Sequence, residues 1–158
     1  MKKRSILVVD DEDIILLSLG RDLGLDQYDV QTASSGEEAM QKFHEGKFDL
    51  IISDYMMPGI NGLELLKWVK AQNPYTVFII LTGYGDSVST LQILENGADE
   101  MLLKPCDTDE LLLRMDRCLR TQEALHRLYT LEENAPLCRA CAAPLTKTAP
   151  AGQVLKTA

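Results

Sequence analysis

The sequence of 158 residues contains no long apolar run. A membrane-spanning helix needs about 18 or more consecutive apolar residues, and no segment approaches that length. Near the N-terminus, residues 6–9 form an apolar run that is too short for the core of a secretory signal. We therefore expect a cytoplasmic protein without a membrane partner.

The glycine-rich loops that hold nucleotide phosphates are also missing. After the first apolar run the sequence has the four acidic residues 10–13, where a dinucleotide-binding fold would have G-x-G-x-x-G. No G-x-x-x-x-G-K-[ST] loop occurs, so nucleotide binding is disfavoured. The only two histidines, His44 and His126, lie within segments of helical character, and we expect them to be ordinary surface residues.

Basic residues are too few to balance the acidic ones. The chain has 16 Lys and Arg against 24 Asp and Glu, a formal net charge of −8. Residues 134–158 contain three basic residues and no acidic residue, so residues 1–133 carry a net charge of −11. Because an acidic surface repels nucleic acid and anionic membranes, we expect no nucleic-acid partner.

Four cysteines are present, and they do not indicate a disulfide framework. Cys106 and Cys118 stand alone, whereas Cys138 and Cys141 form one Cys-x-x-Cys pair. In the cytoplasm such a pair is half of a tetrahedral zinc site, which needs four ligands. Two chains could share one zinc ion, or the pair could lie in a tail without function.

Five short apolar runs rich in β-branched residues predict buried β-strands. They are residues 6–9, 28–32, 50–52, 77–81 and 101–103, of which 28–32 is the weakest. Three segments between them have helical spacing and typical helix ends: Ser34 or Ser35 precedes 37–45, Asn61-Gly62 precedes 63–71, and Asp86 precedes 88–96. Buried strands that alternate with crossover helices predict a doubly wound α/β fold with a parallel sheet.

The last predicted helix is unusually long. It begins near Asp107 or Thr108 and meets no helix breaker before residues 134–136, which gives roughly 25 residues against a usual length of about 11. Apolar residues such as Leu125 and Leu128 continue past the point where the core should end. This overhang could pair with a second copy of the chain or fold back on its own domain.

Polar side chains follow four of the five predicted strands. Asp10 and Asp11 follow the first strand, Ser53 and Asp54 the third, Thr82 the fourth, and Lys104 the fifth. Since ligands bind at the carboxyl ends of the strands in open α/β sheets, these side chains are expected to share one crevice. Three partly buried carboxylates need a cation, and all-oxygen ligands favour Mg²⁺, which commonly binds phosphate as well.

With these residues the sequence resembles the receiver domain of two-component response regulators. The matching motifs are residues 6–11, 54–62, 81–83 and 104–105, in the order and spacing of the family. The resemblance implies a flavodoxin-like, five-stranded parallel sheet in the order 2-1-3-4-5 with an extended C-terminal helix. We expect a receiver domain at residues 1–122, a helical extension at 123–133 and a disordered tail with the Cys-x-x-Cys pair at 134–158.

The resemblance also implies roles for the residues at the strand ends. Asp54 would accept a phosphoryl group from a histidine kinase or a phosphotransfer protein and form an acyl phosphate. Lys104 would pair with Asp54 before the transfer, and Lys104 and Thr82 would bind phosphoryl oxygens afterwards. Mg²⁺ would be held by Asp11, Asp54 and the backbone carbonyl of Met56, with Asp10 acting through a bound water. A cis peptide bond is expected before Pro105.

One position departs from the pattern of the family. Met101 stands three residues before Lys104, where the family usually has a Tyr or Phe that fills the space vacated by Thr82. Because methionine is flexible, we do not expect a two-rotamer aromatic switch. Phosphorylation is still expected to pull Thr82 inward and to rearrange the face made by helix four, strand five and helix five, which would signal to a downstream protein target.

The first predicted helix carries four consecutive apolar residues, 14–17, and cannot bury them all. The resemblance places the docking surface for the kinase or phosphotransfer protein here, with Ile14, Ile15, Ser18 and Cys106 as candidates. Exposed apolar residues without a function are the alternative, since single ones are common on protein surfaces.

Two other classes of protein share some of these features. A phosphatase of the haloacid dehalogenase type also uses a strand-end Asp and Mg²⁺, but it has a second Asp two positions later, where this chain has Met56. A scaffold module with a receiver fold would need no intact site, whereas all the expected site residues are present. We therefore expect self-phosphorylation and autodephosphorylation only, without an enzymatic activity on other substrates.

Overall fold

The computed structural model describes residues 3–24, 28–83 and 90–134. Its strands are β1 (Arg4–Val9), β2 (Tyr28–Ala33), β3 (Leu50–Asp54), β4 (Val77–Thr82) and β5 (Glu100–Leu103). They form one sheet in the order β2-β1-β3-β4-β5, and all neighbouring strands are parallel. The predicted doubly wound α/β fold is therefore confirmed.

Helices follow the strands in strict alternation. They are α1 (Asp13–Gly24), α2 (Gly36–Glu45), α3 (Gly62–Gln72), α4 (Thr90–Glu95) and α5 (Thr108–Asn134). Of the two predicted caps for α2, Ser35 is the N-cap, and its side chain accepts a hydrogen bond from the Glu38 N–H. The predicted start of α4 at Asp86 and Val88 lies outside the described residues. No described helix has the length and apolar character required to cross a bilayer.

Two apolar clusters cover the two faces of the sheet. Strand residues such as Ile6 and Ile79 pack with α1 and α5, and strand residues such as Leu7 and Phe78 pack with α2, α3 and α4. All residues of β3 and β4 are buried, which explains why their sequences are continuously apolar rather than alternating. The two clusters fix the sheet, and hence the positions of the residues at its carboxyl edge.

Helix α5 is 27 residues long, as its lack of breakers predicted. Its N-terminal half is anchored in the core by Leu111 and Met115, both fully buried. Beyond that half, the Tyr75 ring contacts the rings of His126 and Tyr129 at centroid distances of 5.2 and 6.3 Å. One side of the extension therefore contacts its own domain through aromatic rings. The leucines expected either to fold back or to pair with a second copy stay exposed: Leu125 by 43%, Leu128 by 58% and Leu131 by 68%.

The two histidines have no role at the carboxyl edge of the sheet. His44 and His126 are exposed, and each packs edge-on against one aromatic ring, Trp68 and Tyr75 respectively. The prediction that they are ordinary surface residues is confirmed.

Candidate functional site

The carboxyl edge of the sheet brings the predicted site residues together. Asp54 is the last residue of β3 and Thr82 the last residue of β4, while Asp10 directly follows β1 and Lys104 directly follows β5. Parallel pairing places Asp54 beside Leu81 and Thr82 beside Leu103. The expected convergence of these side chains on one crevice is thus observed.

Lys104 bridges two carboxylates at the centre of the site. Its Nζ donates to an Asp10 oxygen at 2.7 Å and lies 3.2 Å from an Asp54 oxygen. The other Asp10 oxygen accepts the Glu12 N–H at 2.9 Å. The resemblance implied the pair with Asp54, but the shorter contact is with Asp10, which is 1% exposed.

Burial and charge oppose each other at this lysine–carboxylate centre. Burial raises the pKa of Asp54 above its ordinary 3.8, and the charge of Asp10 adds to that rise, although Lys104 partly offsets both. For Lys104, burial alone would lower the pKa, but the hydrogen bond and charge of Asp10, together with Asp54, raise it above its usual value. The ammonium therefore stays charged, and the fold leaves the ionised form of Asp54 less favourable than it is in water.

Three carboxylates form a candidate cation site. Oxygen atoms of Asp10, Asp11 and Asp54 all lie within 4.8 Å of one another. Asp10 and Asp54 are buried and Asp11 is exposed, so the cluster opens to solvent on one side. Oxygen ligands with access to water suit Mg²⁺, which keeps several of its waters, and the donor set therefore fits the predicted ion. The thioether of Met56 is a poor ligand for Mg²⁺, so any role of this residue as a ligand falls to its backbone carbonyl.

The backbone around Asp54 is held from several directions. The Ser53 hydroxyl donates to the Asp54 carbonyl at 2.9 Å, and the Tyr55 N–H donates to the Leu81 carbonyl at 2.7 Å. A Cβ placed on Gly62 would overlap the Asp54 carbonyl oxygen, so α3 begins closer to β3 than any other residue would allow. Sequence reasoning placed Gly62 in the family motif but gave no reason for it, because this contact exists only after folding.

The N-terminus of α3 stabilises the same loop. The Asn61 side chain accepts the Leu63 and Glu64 N–H groups at 3.0 and 2.9 Å, and the Glu64 carboxylate accepts the Asn61 N–H at 3.0 Å. This capping box satisfies orphan donors of the first turn. It therefore fixes where the loop that follows Asp54 ends.

Thr82 and Met101 lie on the neighbouring strands β4 and β5. Thr82 is 4% exposed, and its carbonyl accepts the Lys104 N–H at 2.7 Å. Met101 is partly buried and packs against the cluster on the α2–α3–α4 side. The peptide bond before Pro105 is cis, as expected.

Exposed apolar side chains lie on α1 and on the loop after Asp54. Ile14 is 79% exposed and Leu17 is 73% exposed, whereas Leu16 is buried. The expectation that at least one of residues 14–17 faces water is confirmed. Of the other docking candidates, Ser18 is exposed and Ile15 and Cys106 are half-buried, and burial raises the pKa of the Cys106 thiol. Leu17 was not among the predicted docking residues, although the same apolar run contained the signal.

Together, fold and site define a flavodoxin-like protein with a lysine-bridged acidic crevice at the carboxyl edge of its sheet. The model of the response regulator receiver domain matches residues 6–116. The chain belongs to this family, and this part of it is the receiver domain of a two-component response regulator.

Two curated relatives carry the same name. Response regulator ArlR of Staphylococcus saprophyticus is 37% identical over 117 residues, which are 74% of this chain and 53% of that protein. ArlR of Staphylococcus aureus is 38% identical over 117 residues, with the same coverage. The chain therefore spans about half the length of the curated relatives it matches.

Solved structures give the same fold. A receiver domain from Clostridium thermocellum superimposes with a TM-score of 0.73 at 34% identity, covering 77% of this chain and 98% of that one. A CheY-like receiver domain from Methanospirillum hungatei superimposes with a TM-score of 0.74 at 31% identity, covering 78% and 98%. Residues 134–158 lie beyond the matched domain, and Cys138 and Cys141 lie outside the described residues.

Proposed function

We propose that Asp54 accepts a phosphoryl group from a histidine kinase or a phosphotransfer protein, with Mg²⁺ bound beside it. The observation that carries this proposal is the position of Lys104, which lies within 3.2 Å of Asp54 while the Asp10, Asp11 and Asp54 oxygens cluster within 4.8 Å. A nucleophilic carboxylate, a cation site and a fixed ammonium are the parts that phosphoryl transfer needs.

In the proposed reaction the Asp54 carboxylate oxygen attacks phosphorus, and the bond to the donor nitrogen of phosphohistidine breaks. Lys104 is close enough to Asp54 to bind the new phosphoryl oxygens as negative charge develops on them. Thr82 lies at the end of the neighbouring strand, β4, from which its hydroxyl would donate to another phosphoryl oxygen. Such groups act by positioning and by electrostatic stabilisation, because they need little reorganisation during the transfer.

Asp10, Asp11 and Asp54, with the carbonyl of Met56, would hold the magnesium ion. Bound there, it would neutralise negative charge on the transferring group. Asp10 already receives Lys104 and the Glu12 N–H, so a role through a bound water suits it better than direct coordination. Asp11 is the exposed member of the cluster and is free to turn towards an ion.

Output is proposed to run through contact with a downstream protein. The face made by α4, β5 and α5 exposes Leu91 (66%), Leu94 (42%), Leu103 (46%) and Leu113 (69%). Thr82 and Leu103 are paired in the sheet, so a movement of Thr82 towards a phosphoryl group is transmitted directly to this face. The partly buried Met101 adjusts its packing without an aromatic rotamer change.

The kinase or phosphotransfer protein is proposed to dock on α1 beside the acidic crevice. Ile14 and Leu17 supply exposed apolar area there, and Met56 adds to it from the loop after Asp54. Ile15, Ser18 and Cys106 complete the proposed surface. A nucleic-acid partner is not proposed, because the net charge of residues 1–133 is −11.

The alternative classes lack support from the same residues. A dehalogenase-type phosphatase would place a carboxylate at position 56, where the chain has an exposed methionine. A scaffold without phosphotransfer gives no reason for burying Asp10 and Asp54 around Lys104. We accordingly propose phosphorylation and autodephosphorylation of Asp54 without turnover of other substrates, as one step of a phosphorelay.

The test is the intact mass of the protein after incubation with acetyl phosphate and Mg²⁺. One phosphoryl adduct is expected, and it should disappear in EDTA and in Asp54→Asn. Asp29→Asn removes an exposed carboxylate from β2 and should leave the adduct unchanged. An adduct that persists in Asp54→Asn, or its absence with both acetyl phosphate and a panel of phosphohistidine donors, would overturn the proposal.

A further inference from the structure

Residues 55–61 form the loop that joins β3 to α3, and this loop carries the Met56 carbonyl proposed as a magnesium ligand. The loop is closed at its base, where the Gly62 N–H donates to the Tyr55 carbonyl at 3.0 Å. Its end at α3 is fixed by the capping box of Asn61. The part between these two anchors belongs to no helix or strand, so contacts with other elements must hold it.

One hydrogen bond reaches this part of the loop from α2. The Ile60 N–H donates to the Glu37 carboxylate at 3.2 Å. In the part of the chain that the structure describes, no other residue outside the loop hydrogen-bonds to residues 56–60. The apolar contacts of the loop are made by Met57, which is 7% exposed, and by the half-buried Ile60. Glu37 therefore supplies the polar restraint on the conformation of the loop.

The first turn of α2 holds Glu37 in place. Its neighbour Glu38 accepts the Ser34 N–H and hydroxyl, both at 2.8 Å, and pairs with Lys42 at 2.8 Å. The Ser35 hydroxyl caps the helix by accepting the Glu38 N–H at 3.2 Å. The two consecutive glutamates thus have different contacts: Glu38 fixes the start of α2, and Glu37 reaches across to the loop.

Two glycines let α2 and the loop approach each other closely. A Cβ on Gly36 would overlap Ile60, and a Cβ on Gly59 would overlap the Glu37 carboxylate. Gly59 also has a φ of +75°, a backbone conformation that other residues rarely adopt. On each side of the contact between Glu37 and Ile60, a glycine therefore leaves room for the two partners to meet.

We infer that Glu37 is a positioning residue of the proposed magnesium site, because its carboxylate holds the loop that carries the Met56 carbonyl in one conformation. The role rests on the function proposed above, and Glu37 is not one of the carboxylates that cluster in the crevice. When the loop samples other conformations, the apparent affinity for Mg²⁺ falls with the fraction of molecules that stay competent to bind. Glu37 raises the affinity by keeping that fraction high.

The expected effect is that of one exposed hydrogen bond. Glu37→Ala should raise the dissociation constant for Mg²⁺ about fivefold, which corresponds to about 1 kcal/mol. Glu37→Gln keeps an oxygen that can accept the Ile60 N–H but removes the charge. Because salt screens remote charges, this variant should stay within about twofold of the wild type.

The experiment titrates the whole chain with Mg²⁺ at about 0.15 M salt and follows binding by the amide chemical shift of Asp54. Glu45→Ala is the matched control, since it removes an exposed glutamate from the other end of α2, and it should bind Mg²⁺ as the wild type does. Wild-type affinity in Glu37→Ala, or equal losses in Glu37→Ala and Glu37→Gln, would refute the positioning role. A wild type that binds no Mg²⁺ would refute the proposed site as well.

Amide hydrogen exchange tests the contact itself. The Ile60 N–H should exchange faster in Glu37→Ala than in the wild type, whereas Glu37→Gln should retain the protection. Phosphorylation of Glu37→Ala by acetyl phosphate should be slow at low Mg²⁺ and reach the wild-type rate at saturating Mg²⁺, which a general loss of activity would not produce. Unchanged exchange at Ile60, or a rate that stays low at saturation, would rule out the proposed role.

Gly59→Ala tests the same contact from the side of the loop. Its Cβ would collide with the Glu37 carboxylate, so it should weaken Mg²⁺ binding in the wild-type background. In the Glu37→Ala background that carboxylate is gone and only the strain of the positive φ remains, so the same substitution should weaken binding by a smaller factor. Equal factors in the two backgrounds would show that the two residues do not act through one contact, contrary to the inference.

Discussion

Replacing Lys104 by methionine should lower the free energy of unfolding of the metal-free protein, and Mg²⁺ should restore most of the lost stability. Lys104 is the ammonium that contacts both Asp10 at 2.7 Å and Asp54 at 3.2 Å. Methionine keeps much of the side-chain volume but removes the charge, so two buried carboxylates would face each other without compensation. At neutral pH the folded state must then either protonate one of the carboxylates or keep two uncompensated buried charges, and both lower its stability.

The expected cost follows from the burial of the pair. Removing one partner of a buried ion pair costs about 3–5 kcal/mol, and the Lys104 side chain is 20% exposed, so the lower end applies, about 3 kcal/mol at pH 7 in EDTA. With a denaturant dependence of about 2 kcal/mol per molar urea, the unfolding midpoint should fall by about 1.5 M. A bound divalent cation would replace the lost positive charge, so saturating Mg²⁺ should return most of this difference.

A double-mutant cycle that combines Lys104→Met with Asp10→Asn tests whether Asp10 is the carboxylate that Lys104 mainly compensates. In the Asp10→Asn background only Asp54 remains as a charged neighbour, and Lys104→Met should cost only about 1 kcal/mol, a coupling of about 2 kcal/mol. Urea unfolding followed by circular dichroism, with unchanged slopes, measures all four proteins. A cost below about 1 kcal/mol in EDTA would show that Lys104 is not the main compensating charge. The same cost with and without Asp10 would show that Asp10 is not its main partner.

Three further predictions test the same site. Burial raises the pKa of Asp54, so the stability that its protonated form contributes is present below pH 3.8 and is lost as the pH rises through the folded-state pKa. Asp54→Asn should therefore raise the urea midpoint above that of the wild type at pH 7 in EDTA, and the difference should disappear near pH 3. A difference that grows on acidification would contradict the raised pKa of Asp54. Gly62→Ala would force a Cβ against the Asp54 carbonyl oxygen and should cost about 3 kcal/mol and slow phosphorylation, whereas Gly24→Ala, with no atom within 4 Å of its Cβ, should be neutral or slightly stabilising in the same unfolding assay. Equal effects of the two glycine variants would rule out the close contact. Asn61→Ala removes the cap of α3 and should lower the free energy of unfolding by about 1 kcal/mol; an unchanged thermal midpoint would contradict the capping role.

The sheet was predictable because its central strands are buried on both faces. Continuous apolar runs such as 77–81 leave no alternative to a covered parallel sheet, and polar residues that interrupt them must lie at its edge. The site residues Asp54 and Lys104 were therefore found from their positions after the strands. Their spatial convergence follows from parallel topology alone, before any side-chain geometry is known.

The contacts within the site were less predictable than its composition. Whether Lys104 reaches Asp10 or Asp54 depends on the separation of β1, β3 and β5 across the sheet, and the sequence contains no measure of that distance. The same is true of Gly62, whose role depends on how closely α3 approaches the end of β3. The sequence predicted that at least one residue of the apolar run 14–17 is exposed. Which of them face water, Ile14 and Leu17, depends on how α1 is rotated against the sheet, and only the structure shows that.

The charges of the site indicate why ion binding and phosphorylation would be coupled through Lys104. Three ionised carboxylates and one ammonium leave a net charge of −2 within the crevice, which one divalent cation would balance. An acyl phosphate at Asp54 would replace a charge of −1 by about −2, and the added charge is close to the ammonium. Lys104 would then gain by shifting from Asp10 towards the phosphoryl oxygens, since the cation would compensate Asp10 in its place. On the proposed function, the contact between Lys104 and Asp10 would belong to the unphosphorylated protein, and its exchange for a phosphoryl contact would supply the local change that Thr82 and β5 transmit.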